Sequence, residues 1–182
     1  MKIVLSLAIV LILSACTTVG GLVSPNPNET VTAFFTHIYA REFDEANQLL
    51  TTDPPIALRE IEAEHSGIFD NIDYQLVSEI VEGNRAYLTV NISALDFTQL
   101  MEAVISEAFF WAFVEMTEEE LYELVNELLI EKMNAEDAPT IENEITMVLM
   151  LERNKWHIVP DNALFDGLTG GVLSFAEYAA GW

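Results

Sequence analysis

The spacing of apolar residues changes near Tyr74, and this change limits the fold more than any other feature of the sequence. Before it, apolar residues recur every three or four positions: Val31, Phe34, Phe35, Ile38 and Tyr39. That spacing predicts one face of an α-helix, whereas the alternation after Tyr74 predicts β-strands. Helices followed by strands indicate an α+β domain, in which N-terminal helices pack on an antiparallel sheet.

Three helices are expected before the change. The first starts near Asn28 or Glu29, where an acidic residue suits the helix dipole. Asp44 can cap a short second helix. A turn at 53–55 starts the third helix, which ends around 65–67.

Two strand pairs follow, separated by a helical insertion. The first pair is predicted at 74–81 and 86–95, and the second at 141–151 and 156–160. The insertion spans about 97–134 and forms an α-hairpin. Thr117 and Glu120 at its centre have the spacing of a capping box, which indicates the start of its second helix.

The first half of the insertion is apolar on almost every side, and its most apolar segment includes Phe109, Phe110, Trp111 and Phe113. Such a helix needs a cover. One interpretation is that the second insertion helix and the sheet cover it as core. The other is a groove or lid that binds an apolar small ligand or a protein partner.

The C-terminal region offers less pattern. We expect a loose acidic loop around Asp161 and Asp166, without the alternating ligands of a calcium site. The apolar tail 168–182 is either a docked helix or an extension that binds a partner.

The N-terminus has the pattern of a bacterial lipoprotein signal. Lys2 precedes an apolar run at 3–13, which is too short to span a bilayer well, and residues 13–16 read Leu-Ser-Ala-Cys. We expect cleavage after residue 15 and lipid on Cys16, the only cysteine of the chain. A linker then covers 16–27, and a single domain covers 28–182. The predicted location is extracytoplasmic, anchored by lipid to a bacterial membrane of the cell envelope.

The formal net charge of −23 limits the partners. Such a surface repels nucleic acid and anionic lipid head groups, so we expect neither to bind. Cationic partners, peptides and divalent ions remain open. No phosphate-binding loop or zinc spacing is present in the sequence, and we expect no cofactor and no metal.

Three histidines are the candidates for acid–base chemistry, and none has a catalytic pattern. His37 is expected to be half-exposed on the first helix, and His65 to be a solvated residue at a helix C-terminus. His157 follows Trp156 on a strand, so only one of the two can face the core. We therefore assign no catalytic residue.

Three segments resemble nuclear transport factor 2-like domains: 29–35, 43–46 and the Asn-Lys-Trp-His-Ile run at 154–158. The resemblance covers about 28–166, and more narrowly it is to bacterial lipoproteins with this cone-shaped fold. It implies helices on a curved sheet, with homodimerisation through the open sheet face as one possibility. We expect a lipid-anchored binding module without evident catalysis. The alternative is a small-molecule-binding protein or an isomerase- or hydrolase-type enzyme that uses the cone pocket.

Overall fold

The fold is known from a computed structural model that describes residues 25–111 and 116–181. Cys16, the signal segment and Phe113 lie outside the described residues. The described residues before the sheet form three helices: α1 (Pro27–Tyr39), α2 (Phe43–Asn47) and α3 (Leu58–Glu64). The number and order of these helices agree with the sequence analysis.

Helix α1 begins at Pro27, one residue before the earliest predicted start. The side chain of Asn26 accepts a hydrogen bond from the backbone amide of Asn28 (3.0 Å) and so caps the helix. Proline suits the first helical position, because its missing amide would have no partner there. The predicted apolar stripe is buried except at Tyr39, which is 43% exposed.

Helix α2 differs from the prediction at its cap. Glu42 occupies the N-cap position, but its side chain makes no capping hydrogen bond. Asp44 lies within the first turn and accepts a hydrogen bond from Arg59 of α3 (2.6 Å). Its carboxylate therefore links two short helices instead of starting one.

Four strands form a single antiparallel sheet in the order β1-β2-β3-β4. Their bounds are β1 (Asp73–Glu82), β2 (Arg85–Leu95), β3 (Thr140–Glu152) and β4 (Lys155–Val159). Each lies within one residue of its predicted position. The α+β class and the two predicted hairpins are thus confirmed.

One face of the sheet carries the core. In β2 every second residue is buried: Ala86, Leu88, Val90, Ile92 and Ala94. The residues between them are half-exposed or exposed, which is the alternation expected when helices cover only one face.

The predicted helical insertion lies between β2 and β3. It consists of α4 (Phe97–Trp111) and α5 (Glu118–Met133), which pack on each other. Thr117 accepts a hydrogen bond from the amide of Glu120 (3.2 Å), and the Glu120 carboxylate accepts one from the amide of Thr117 (2.8 Å). This reciprocal pair is the predicted capping box.

The C-terminal region is more regular than predicted. It forms α6 (Asn162–Thr169) and α7 (Val172–Ala180), so the expectation of a loose acidic loop is wrong. Asp161 caps α6 by accepting a hydrogen bond from the amide of Leu164 (2.8 Å), and Asp166 lies inside the helix. Helix α6 packs on β2 and β3, while α7 packs on α6 and α4. No helix in the described ranges has the length and apolar character that crossing a bilayer requires.

The two ends of the sheet connect to different parts of the chain. Both strand turns lie at one end, where the amide of Leu151 donates to the carbonyl of Asn84 (2.8 Å). The Trp156 indole, close to that end, donates to the carbonyl of Pro25 (2.8 Å) and fixes the start of the described chain there. The α4–α5 hairpin leaves the sheet at the opposite end, after Leu95.

Candidate functional site

The α4–α5 hairpin has a buried seam and an exposed end. Its buried residues are Phe97, Leu100, Val104 and Ala108 of α4 together with Leu128, Leu129 and Met133 of α5. Lys132 and Glu107 form an ion pair between the two helices (2.7 Å). The hairpin is thus held by apolar packing along its length and by one ion pair at its side.

Beyond this seam the hairpin exposes large aromatic side chains. Phe109 is 60% exposed, Phe110 76% and Trp111 46%, and Tyr122 of α5 is 60% exposed. We call these four residues the aromatic tip. Three of them belong to the predicted apolar segment, and the interpretation of that segment as covered core fails for these three.

Acidic residues flank the aromatic tip. Helix α5 carries six glutamates and one lysine, and three of those glutamates fill its first turn. The lysine, Lys132, is already paired with Glu107. The tip therefore combines apolar surface with an acidic border.

A cleft of about 530 Å³ lies at the base of the hairpin, between the first turns of α4, the start of β3 and the helices α6 and α7. Ile141 and Ile145 form an apolar part of its wall. Asp96, only 7% exposed, accepts hydrogen bonds from the backbone amide (2.9 Å) and the side chain (2.8 Å) of Gln99. Its carboxylate thus caps α4 at the edge of the cleft.

The cleft and Tyr122 were not identified from the sequence. The signals present were a short polar residue, Asp96, directly before an apolar helix, and the Gly170-Gly171 pair that lets α7 turn back towards α4. Both signals indicate only where a helix starts or where the chain turns. A cleft also depends on which distant segments meet, and neither signal contains that information.

The three histidines lie on separate elements. The His37 Nδ1 atom of α1 lies 2.8 Å from the Glu42 carboxylate, and both side chains are partly exposed. On β4, Trp156 is buried and His157 faces the other way, as the strand period predicts. Within the described ranges, no group of three or more histidine, cysteine, aspartate or glutamate side chains could hold a metal ion.

His65 differs from its expected environment. Its ring packs against Phe97 with 5.4 Å between the centroids, so the expectation of a solvated residue is wrong. Burial lowers the pKa of His65 below 6.5, and this outweighs the opposing effect of the nearby Glu64 carboxylate. Phe97 in turn contacts Phe175 of α7, so His65 lies at a junction of three helices.

No protein-family model and no curated protein matches the sequence. The solved structures that are similar to it include two proteins. The "putative calcium/calmodulin-dependent protein kinase type II association domain" of Thiobacillus denitrificans is 16% identical, with a TM-score of 0.42, over 75% of this chain and 91% of that one. The "putative lipoprotein (ycdA)" of Bacillus subtilis is 11% identical, with a TM-score of 0.46, over 80% of this chain and 47% of that one. The chain therefore spans about half the length of the second protein.

Proposed function

We propose that this chain is a lipid-anchored, extracytoplasmic interaction module of nuclear transport factor 2-like architecture, which binds a protein partner through the aromatic tip. The lipobox, which is the Leu-Ser-Ala-Cys sequence at 13–16, supports the lipid anchoring. The order of helices and strands supports the architecture. The exposure of the aromatic tip is the observation that carries the binding function.

The side chains of the aromatic tip are not needed to hold the hairpin together. The buried seam already joins α4 to α5, and the capping box fixes the start of α5. Phe110, which is 76% exposed, gains little stability from its position. A cluster of large exposed aromatic residues on a soluble surface is typical of an interaction site.

The charge around the tip specifies the partner's chemistry. An anionic bilayer is disfavoured, because the glutamates that begin α5 would have to approach its negative surface. A protein surface with an apolar recess and basic residues at its rim fits both features. The recess would bury the aromatic side chains, and the basic residues would pair with the carboxylates. Basic rim residues would also increase the association rate at low salt.

Photo-crosslinking in the host bacterium tests this proposal. A benzophenone amino acid replaces Phe110 in one variant and Ile80 in the other. Ile80 is a matched control, since it is 57% exposed and apolar but lies on β1. We expect one protein to crosslink at position 110 and not at position 80.

Binding of that protein, once purified, is then compared between variants of the full-length chain. Phe110→Ser should weaken it at least tenfold, while Ile80→Ser should leave it unchanged. Equal crosslinking at both positions, or crosslinking at position 110 to lipid alone, would refute the proposal.

A further inference from the structure

Strand β3 is paired along only part of one edge. β4 pairs with the segment from Val148 to Glu152, whereas β2 pairs with β3 from Thr140 to Met150. Among the described residues, the segment 140–147 has a strand on one side and none on the other. Alternate residues of that segment therefore direct backbone amide and carbonyl groups towards an unoccupied strand position.

The other edge of the sheet is built differently. The register of β1 shifts between Leu76 and Ser78, which places a bulge next to Val77. Bulges increase the local twist and hinder the addition of another strand. The pairing of β3 with β2 shows no such shift. The free segment of β3 is thus the more regular template for an added strand.

The cleft lies beside this free segment. Ile141, Asn143 and Ile145 line its wall. Glu142 and Glu144 alternate with them along the strand and are exposed, and Glu144 also reaches the edge of the cleft. A strand added to β3 would place every second side chain towards the cleft. Its remaining side chains would lie beside the two exposed glutamates.

Among the described residues, the charged side chains that line the cleft are all acidic: Asp96, Glu102, Glu144 and Asp166. A second copy of this chain would bring a β3 with its own Glu142 and Glu144, and a net charge of −23, to the same edge. Like charges that face each other across strands are destabilising. An added strand with basic side chains has the complementary charge.

We propose that the free segment of β3 and the adjacent cleft bind an extended peptide segment of a partner protein by strand addition, with alternating apolar and basic side chains. The backbone of β3 provides the hydrogen bonds, and the cleft takes the apolar side chains. Glu142 and Glu144 pair with the basic ones. This site is separate from the aromatic tip, and the proposal does not depend on the tip's function.

A defined peptide probe tests the proposal on the full-length protein in phosphatidylcholine nanodiscs. The probe is a fluorescent ten-residue peptide of alternating valine and lysine. The comparison probe has the same sequence with N-methyl groups on alternate residues, which removes the donors along one strand edge and keeps the charge. We expect anisotropy to show binding of the first probe and at least tenfold weaker binding of the second.

Two double variants separate local from general charge effects. Glu142→Gln with Glu144→Gln should weaken binding about tenfold and reduce its salt dependence. Glu79→Gln with Glu82→Gln removes the same charge from exposed positions of β1 and should leave binding unchanged. Circular dichroism of each variant verifies that it is folded.

Amide hydrogen exchange identifies the strand that is used. Bound peptide should slow exchange in residues 141–147 and leave β1 unchanged. Equal binding of both probes, equal losses in both double variants, or protection of β1 instead of β3 would each overturn the proposal. Protection of 141–147 without peptide, together with a dimer in native mass spectrometry, would assign the edge to a second copy instead.

Discussion

His65 lies at the end of α3, where its ring contacts Phe97 from the start of α4. A histidine followed by Ser-Gly has the sequence of an exposed helix end, and nothing near it in the sequence indicates burial. The residue that buries it is more than thirty positions away. Tertiary packing therefore determines the environment of His65, and local sequence patterns do not predict that packing.

Acid should destabilise the protein through His65. Its pKa is lower in the folded chain than the value of about 6.5 expected after unfolding, so the unfolded chain binds the proton more tightly. The stabilising contribution is complete above pH 6.5 and is lost as the pH falls through the lower, folded pKa. We expect the free energy of unfolding, measured with urea, to fall between pH 7.5 and 5.5.

The variant His65→Gln should reduce this pH dependence. The matched control is His37→Gln, at a partly exposed histidine on α1, which should retain it. An unchanged slope in His65→Gln would contradict the assignment.

Gly170 and Gly83 allow a paired test of steric contact. Both have φ +64, so a side chain costs similar backbone strain at either position. A Cβ atom at Gly170 would lie 1.5 Å from the carbonyl oxygen of Leu95, whereas one at Gly83 would meet nothing within 4 Å. We expect Gly83→Ala to lower the free energy of unfolding by about 1 kcal/mol and Gly170→Ala by about 4 kcal/mol, measured by urea denaturation. Equal losses would show that the close approach of α6 to β2 is absent in solution.

At the scale of elements, features that depend on neighbouring residues are predicted well from the sequence, and features that depend on distant residues are not. Strand bounds were predicted within one residue, because alternation and turn residues are local. The sequence pattern predicts a loop around Asp161 and Asp166 instead of α6, although Asp161 is the cap of that helix. The exposure of the aromatic tip depended on how far α5 and its neighbours cover α4, and the periodicity of α4 alone does not specify that.

The capping box can be tested as a unit. Hydrogen bonds from the amide and hydroxyl groups of Thr117 lower the pKa of Glu120. Thr117→Ala should raise that pKa towards its ordinary value, as measured by NMR titration, and should speed amide exchange in the first turn of α5. Glu120→Gln keeps a side-chain acceptor and should preserve slow exchange. If the amides of this turn exchange equally fast in both variants, the negative charge of Glu120, and not the hydrogen bonds of the capping box, stabilises the turn.

At the scale of the whole molecule, the proposed lipid on Cys16 determines where the domain acts. Cys16→Ser should release the protein from the membrane fraction and abolish labelling by a fatty-acid analogue in growing cells. Ser6→Ala changes the apolar run of the signal without touching the lipobox, and should leave both properties intact. Retention of Cys16→Ser in the membrane pellet would contradict lipid anchoring.

The α+β class was predictable because helical and strand periods occupy separate parts of the sequence. The candidate sites were predictable only in part. The apolar residues of the tip are identifiable by composition. The cleft and the free edge of β3 arise because β4 is short: among the described residues, it leaves 140–147 with a partner strand on one side only. The sequence predicts the length of β4 correctly, but the effect of that length on β3 depends on which strands pair.

The positions of Pro25 and the hairpin have a mechanical consequence. Pro25 is fixed by Trp156 near one end of the sheet, and the hairpin leaves the other end roughly 35 Å away, at about 3.4 Å for each residue of β3. In a tethered chain, a partner pulling on the hairpin would load the sheet along its strands. The hydrogen bonds between strands run across that direction, so they would resist the force together in shear instead of opening one after another.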